Sequence, residues 1–266
     1  MELSNVIAVR DTKTVYRDGD KCIKVFNESY KKSQVLNEAL NHSLVEDTGV
    51  SMPGLLEVLM IDGKWSIVSE YVSGKTLAQL ILENPEKKRE YIEKLVDIQR
   101  EIQSKSCPML RKLKDKMNDK ICQTSLNATT RYDLHARLES MPKHSKLCHG
   151  DLDTTNVLIT DDGGYSVLDW SHATQGNASA DAARTYLCFR LDGDVEGAEM
   201  YLDIFCEKSG TDKKYVQKWM PIVAASRLVK CAEKERDFLL AWADGEEYRK
   251  VYASDDRALL NASLMV

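Results

Sequence analysis

The pattern of hydrophobic and polar positions is strand-like up to Val72 and helical over most of the remaining chain. Asn5–Arg10, Thr14–Arg17 and Lys21–Phe26 are short β-type runs, and Asp18-Gly19 is a hairpin turn leading into the third. A helix is expected over Ser29–Glu46, with Val35, Leu36, Ala39, Leu40 and Leu44 at helical spacing and Ser29 as N-cap. Leu55–Ile61 and Trp65–Val72 flank the turn Asp62-Gly63. Three strands, one helix and two strands predict a small, mainly antiparallel sheet carrying a single helix. In Lys21–Phe26, alternation sets Cys22, Lys24 and Phe26 on one face and Ile23 and Val25 on the other.

Ser73-Gly74 ends this pattern. Helices are expected over Thr76–Glu83, Glu86–Ser104, Met109–Cys122, Arg131–Ser140, Ala180–Phe189, Gly193–Lys208, Lys213–Ala232 (kinked or broken at Pro221) and Lys234–Ala243. Thr124–Thr130 is a polar connector, and Ala258–Val266 is an apolar tail expected to pack on the helical part. One stretch interrupts the helices: Leu147–Trp170. It reads as a loop with His149, Asp151 and Asn156, then a hairpin of Val157–Thr160 and Tyr165–Leu168 around Asp161-Asp162-Gly163-Gly164. Symmetric pairing sets Val157 opposite Leu168 and Asn156 opposite Asp169, just beyond Asp151. Hard oxygen ligands converging in this way suit Mg2+.

Composition narrows the picture. The chain has 266 residues, enough for one large domain or two modest lobes. A net charge of −5 and a pI near 5.7 argue against nucleic acid as a partner. Seven scattered cysteines without a CxxC pair fit reduced thiols in a cytoplasmic protein. Neither a signal-peptide pattern nor a membrane span is visible. Oligomeric state is not legible.

The layout of a small β-lobe, a short hinge and a helical lobe with a metal-bearing hairpin resembles the aminoglycoside phosphotransferase family of the choline kinase-like and protein kinase-like superfamily. The resemblance rests on His149-Gly150-Asp151 with Asn156, on Leu168-Asp169-Trp170, and on Gly176-Asn177 with Asp181-Ala182-Ala183-Arg184-Thr185 after it. Lys24, Glu38 and Ser69-Glu70-Tyr71-Val72-Ser73-Gly74 support it upstream. It implies an α+β, bilobal protein kinase-like fold, with residues 1–72 as a nucleotide-binding lobe and 73–266 as a helical lobe holding the catalytic loop and acceptor pocket. It further implies transfer of the γ-phosphate of ATP, with GTP left open, to a hydroxyl of a small molecule with the help of Mg2+.

In that resemblance Asp151 accepts the hydroxyl proton, His149 braces the loop, and Asn156 and Asp169 hold the metal. Lys24, paired with Glu38, touches the phosphates; Glu28 and Glu46 are rival partners, and a solvated lysine is the plain alternative. Backbone groups from Glu70 to Val72 meet the purine. Asp181 either supports the catalytic loop or caps a helix. The chain departs from the superfamily at Arg10-Asp11-Thr12-Lys13-Thr14, where protein kinases carry a glycine-rich loop, so phosphate contact there falls to Thr12 and Thr14. It departs again at Asp153-Thr154-Thr155, where an acidic group faces either a cationic substrate or solvent. Aromatic content of 7% offers little for a quaternary-ammonium cage, and Trp219, Trp242 and Tyr201 read as core. A catalytically weak, nucleotide-binding kinase-like protein with a regulatory role is the competing reading. A two-metal phosphoesterase is disfavoured by only five histidines.

Overall fold

The computed structural model describes residues 3–245. The expected packing of the apolar tail lies outside these residues. The described chain forms two compact units, one from residues 3–110 together with Lys146–Gln175, the other from Arg111–Ser145 and residues 176–245. This division does not run at residue 72: the loop and hairpin of Leu147–Trp170 cluster with the N-terminal sheet.

In the first unit, β1 (Val6–Arg10), β2 (Lys13–Asp18), β3 (Lys21–Phe26), β4 (Leu55–Ile61) and β5 (Lys64–Glu70) form one antiparallel sheet in the order β1-β2-β3-β5-β4. The β4–β5 turn is Asp62-Gly63, both with positive φ (48° and 76°), the conformation whose twist suits a tight hairpin. Alternation in β3 holds. Ile23 and Val25 join Val68 in one buried cluster, while Phe26 packs with Val35, Ala39 and Ile67 in another. Each such side chain contributes about 1.5–3 kcal/mol on burial.

Helix α1 (Lys32–Glu46) starts later than expected. Its N-cap is Lys31, whose N–H donates to Gln34 Oε1 at 3.0 Å, whereas the Ser29 hydroxyl donates to Asn27 Oδ1. The buried stripe also differs. Leu36 and Leu40 are exposed, and the inward face is Val35, Glu38, Ala39, Asn41, His42 and Val45. Half of that face is polar: Glu38 and His42 border a cavity, and Asn41 Nδ2 donates to the Ser171 carbonyl at 3.2 Å.

After β6 (Gly74–Thr76), α2 (Leu77–Glu83) and α3 (Lys88–Ser104) complete the first part of this unit. β7 (Lys146–Cys148) leads into the loop, and β8 (Val157–Thr160) and β9 (Tyr165–Val167) form the hairpin, with β6 as third strand in the order β6-β8-β9. The pairing corrects the expected register by one residue: Val157 faces Val167, not Leu168. The connection is the three-residue loop Asp161-Asp162-Gly163, with Thr160 N–H on the Gly164 carbonyl and Gly163 at φ +86°. A three-residue loop ending in a left-handed glycine shifts the pairing relative to a four-residue one. Gly74 has to be glycine, because a Cβ there would collide with the Ile159 carbonyl of β8.

The second unit is helical: α4 (Leu113–Gln123), α5 (Ala128–Ser140), α6 (Ala178–Leu191), α7 (Val195–Ser209), α8 (Lys213–Gln217), α9 (Met220–Leu228) and α10 (Arg236–Ala243). Trp219, Trp242 and Tyr201 are buried core residues, as expected. The break near Pro221 separates α8 from α9, with the proline in the first turn of α9, where its missing N–H costs nothing. Asn177, not Asp181, caps α6, accepting from Ser179 N–H at 2.9 Å. No helix among the described residues is long and apolar enough to cross a membrane.

Candidate active site

A cavity of about 510 Å3 lies wholly within the first unit. Its lining joins apolar side chains, among them Ala8, Val15, Ile67, Val72 and Leu158, to a charged group of Lys13, Lys24, Glu38 and Asp169, with Asn156 beside them. A few convergent polar groups in a mostly apolar cleft are the usual make-up of a ligand site.

The charged group arises from strand register. Lys24 lies opposite Val15 on β2, and Lys13, two residues along, shares its face. Glu38 reaches the same point from the buried face of α1. Lys24 Nζ is 3.1 Å from Glu38 Oε1 and 3.9 Å from Asp169 Oδ1. Lys13 Nζ is 2.8 Å from Asp169 Oδ2 and 3.6 Å from Glu38 Oε1. Two ammonium groups thus alternate with two carboxylates. Burial works against the Lys24 charge, but Asp169 and Glu38 outweigh it and raise its pKa. Burial likewise pushes the Asp169 carboxyl up, yet Lys24 and Lys13 hold it well below the usual carboxylate range. Of the rival glutamates, Glu46 accepts from the Leu55 N–H and Glu28 is exposed.

Asp169 is not the cross-strand partner of Asn156; the Leu168 N–H donates to the Asn156 carbonyl at 2.8 Å. Asp169 instead enters the cavity through a left-handed backbone, φ 60° and ψ 68°. That conformation is uncommon outside glycine and clusters at functional sites. Its Oδ1 is buried without a hydrogen-bond partner. Asn156 Nδ2 donates to the Asp151 carbonyl at 2.9 Å, which fixes the amide so that its oxygen is the end left for a ligand.

The loop before β8 is internally braced. His149 is fully buried; its Nε2 donates to the Leu168 carbonyl at 2.9 Å and its Nδ1 accepts the Asp151 N–H at 3.3 Å. Gly150 has φ +80°, and a Cβ there would collide with the His172 carbonyl. Asp153 Oδ1 accepts from Thr155 N–H, Thr155 Oγ1 and Asn156 N–H at 2.7, 2.6 and 3.1 Å. It organises the turn that presents Asn156. Asp151 is half-buried in this loop and is not part of the cavity lining.

Glu70 and Val72 line the cavity. The Glu70 and Tyr71 N–H groups are taken by Gly54 and Asp20 carbonyls, and among the described residues the Val72 N–H has no backbone partner. Thr12 and Thr14 are not brought to the cavity. The Thr12 carbonyl accepts from the Asn27 N–H, and Thr14 opens onto a second hollow of about 200 Å3, which Lys13 and Arg10 also border. Lys13, between them, is a cavity residue that sequence reasoning misses, as are Arg10 and His42. Strand alternation, counted from the Lys24–Val15 pairing, is the signal that finds it.

Residues 4–217 match a family model described as the phosphotransferase enzyme family. No curated protein matches the sequence. Among solved structures, the fold is similar to a thermostable mutant of aminoglycoside phosphotransferase APH(4)-Ia in ternary complex with AMP-PNP and hygromycin B, with a TM-score of 0.66, 16% identity and 90% of each chain covered. It is similar to an aminoglycoside-3'-phosphotransferase of type VIII (TM-score 0.64, 14% identity, 85% of this chain and 94% of that one). It is also similar to choline kinase LicA from Streptococcus pneumoniae (TM-score 0.61, 14% identity, 90% and 87%).

Proposed function

This chain belongs to the phosphotransferase enzyme family, and we propose that it moves the γ-phosphate of ATP to a hydroxyl group of a small molecule. The observation that carries the reading is Asp169: a carboxylate held ionised by Lys24 and Lys13, with a buried Oδ1 that accepts no hydrogen bond, in a cavity that Asn156 also lines. An ionised carboxylate oxygen without a hydrogen bond and an amide oxygen, lining one cavity, are donors of the kind a hard cation takes. Among the described residues no three His, Cys, Asp or Glu side chains cluster for a metal. Asn156 and Asp169 would therefore hold Mg2+ jointly with the nucleotide phosphates and water. The ion supplies charge neutralisation at the transferring phosphoryl group.

The other assignments keep the same division of labour. Lys24, oriented by Glu38, meets the α- and β-phosphates. The Val72 N–H and the Glu70 carbonyl meet the purine, which leaves ATP and GTP both open as donors. Asp151 accepts the proton of the acceptor hydroxyl, and His149 positions the loop that carries it. In functional terms residues 1–72 form the nucleotide lobe, and residues 73–266 carry the catalytic loop and the acceptor pocket. Free thiols throughout and the absence of a spanning helix among the described residues support a cytoplasmic location. Hygromycin B in the APH(4)-Ia complex and the choline kinase neighbour make aminoglycosides and amino alcohols the first acceptors to try.

The test is ADP release from Mg-ATP across a panel of aminoglycosides, amino alcohols, sugars and nucleosides. At least one acceptor should raise release above the acceptor-free rate. Nucleotide binding without release for any acceptor would favour the competing reading of a catalytically weak nucleotide-binding protein, to which the missing glycine-rich loop lends its support.

A further inference from the structure

We propose that Lys13 is a second phosphate-binding residue, one that leaves Asp169 for the β- and γ-phosphates when nucleotide enters. This rests on the phosphotransferase reading and adds a contact to it. Three observations carry it.

First, the β1–β2 connection cannot serve as a glycine cradle. Arg10 pairs with Lys13, so the turn is only Asp11-Thr12. Both turn carbonyls are tied to Asn27, which donates its N–H to Thr12 and its Nδ2 to Asp11, each at 2.9 Å. The turn is anchored to the end of β3 and holds no glycine to let a phosphate approach the backbone. Positive potential for the phosphates has to come from side chains.

Second, the cavity holds two ammonium groups where the expected arrangement needs one. Lys24 and Lys13 balance Glu38 and Asp169, so the resting group is neutral. A triphosphate adds negative charge, and a cation on Asp169 Oδ1 would draw on the same carboxylate charge that holds Lys13 at Oδ2.

Third, the two lysines are not equivalent. Lys24 is nearer Glu38, at 3.1 Å against 3.6 Å for Lys13, while Lys13 makes its short contact, 2.8 Å, with Asp169. Glu38 fixes Lys24. Lys13 is tethered to the group that changes partner on metal and nucleotide binding. A flexible four-carbon stem ending in three donors lets it track a phosphate oxygen.

The experiment is a calorimetric titration of adenosine, AMP, ADP and ATP, without metal, into the full chain and its Lys13→Met and Lys13→Arg variants. A lost charge-assisted contact to phosphate should weaken ADP and ATP roughly tenfold or more. Adenosine and AMP should stay within about twofold, and Lys13→Arg should restore most of the loss. Equal weakening of all four ligands, or of none, overturns the proposal and leaves Lys13 as a brace for Asp169. If Lys13→Met does not fold, Lys13→Gln and Lys13→Arg are compared over the same series. Failure of the parent chain to bind any of the four would reject the nucleotide reading itself, a different outcome from a parent that binds and a Lys13 variant that binds equally well.

Discussion

His149 joins Asp151 to Leu168: its Nδ1 accepts the Asp151 N–H at 3.3 Å while its Nε2 donates to the Leu168 carbonyl at 2.9 Å. One buried ring thereby couples the loop bearing the proposed base to the residue preceding the proposed metal ligand. Trp170 packs against it, ring centroids 4.6 Å apart and tilted 56°. Both nitrogens are engaged, so the ring acts by position. His149→Ala should lower unfolding free energy by about 2–4 kcal/mol through a lost buried ring and an orphaned carbonyl. Urea unfolding measures this. Unchanged stability with abolished turnover would instead give the ring a chemical role.

Asp151→Asn keeps the loop's shape and the backbone carbonyl that receives Asn156 Nδ2. Nucleotide affinity should therefore stay within about twofold, while turnover falls by roughly 10²–10⁴, the range for removal of a general base. Single-turnover kinetics with Mg-ATP and a working acceptor separate the two effects. Normal turnover would remove Asp151 from the chemistry.

Much of this site is legible in the sequence, for identifiable reasons. That Lys24 needs a partner follows from a lysine among apolar strand residues; that the partner is Glu38, ahead of Glu28 and Glu46, is what the family resemblance implies. Asn156 and Asp169 can be placed together because a hairpin has few ways to close. The route by which they meet is not legible. A three-residue loop, selected by Gly163 in the left-handed region, shifts the register by one, and Asp169, itself left-handed, lines the same cavity as Asn156 without being its cross-strand partner. Backbone conformation at a non-glycine residue leaves no mark in the residue pattern. The face of α1 is hidden for a related reason. Leu36 and Leu40 have the spacing of core residues, but the helix turns Glu38, Asn41 and His42 inward toward polar partners. Lys13 escapes notice because the hydroxyls on either side of it are the more familiar phosphate contacts.

Gly150→Ala tests the strain built into the loop. At φ +80° an L side chain is unfavourable, and the added Cβ would meet the His172 carbonyl. The expected cost is about 1–3 kcal/mol. Because Gly150 lies between His149 and Asp151, turnover should fall by more than nucleotide affinity. Calorimetric nucleotide binding beside the turnover rate reads this split. Equal losses in both would mean that the substitution disturbs the whole unit.

His42 gives the pH dependence. It is 8% exposed, lines the cavity, and donates Nε2–H to the Pro53 carbonyl at 2.7 Å. Burial lowers its pKa below the ordinary 6.5, an effect that the Pro53 carbonyl only partly offsets. Below that value the unfolded chain binds a proton that the folded chain resists. The His42 contribution to stability is therefore fully present above about pH 6.5 and is lost as pH falls through the lower folded value. Unfolding free energy should decline from about pH 7 to pH 5, and His42→Gln, whose amide can still donate to Pro53 without taking up a proton, should decline less over that range. Parallel curves for the parent and the variant would show that His42 does not titrate against folding.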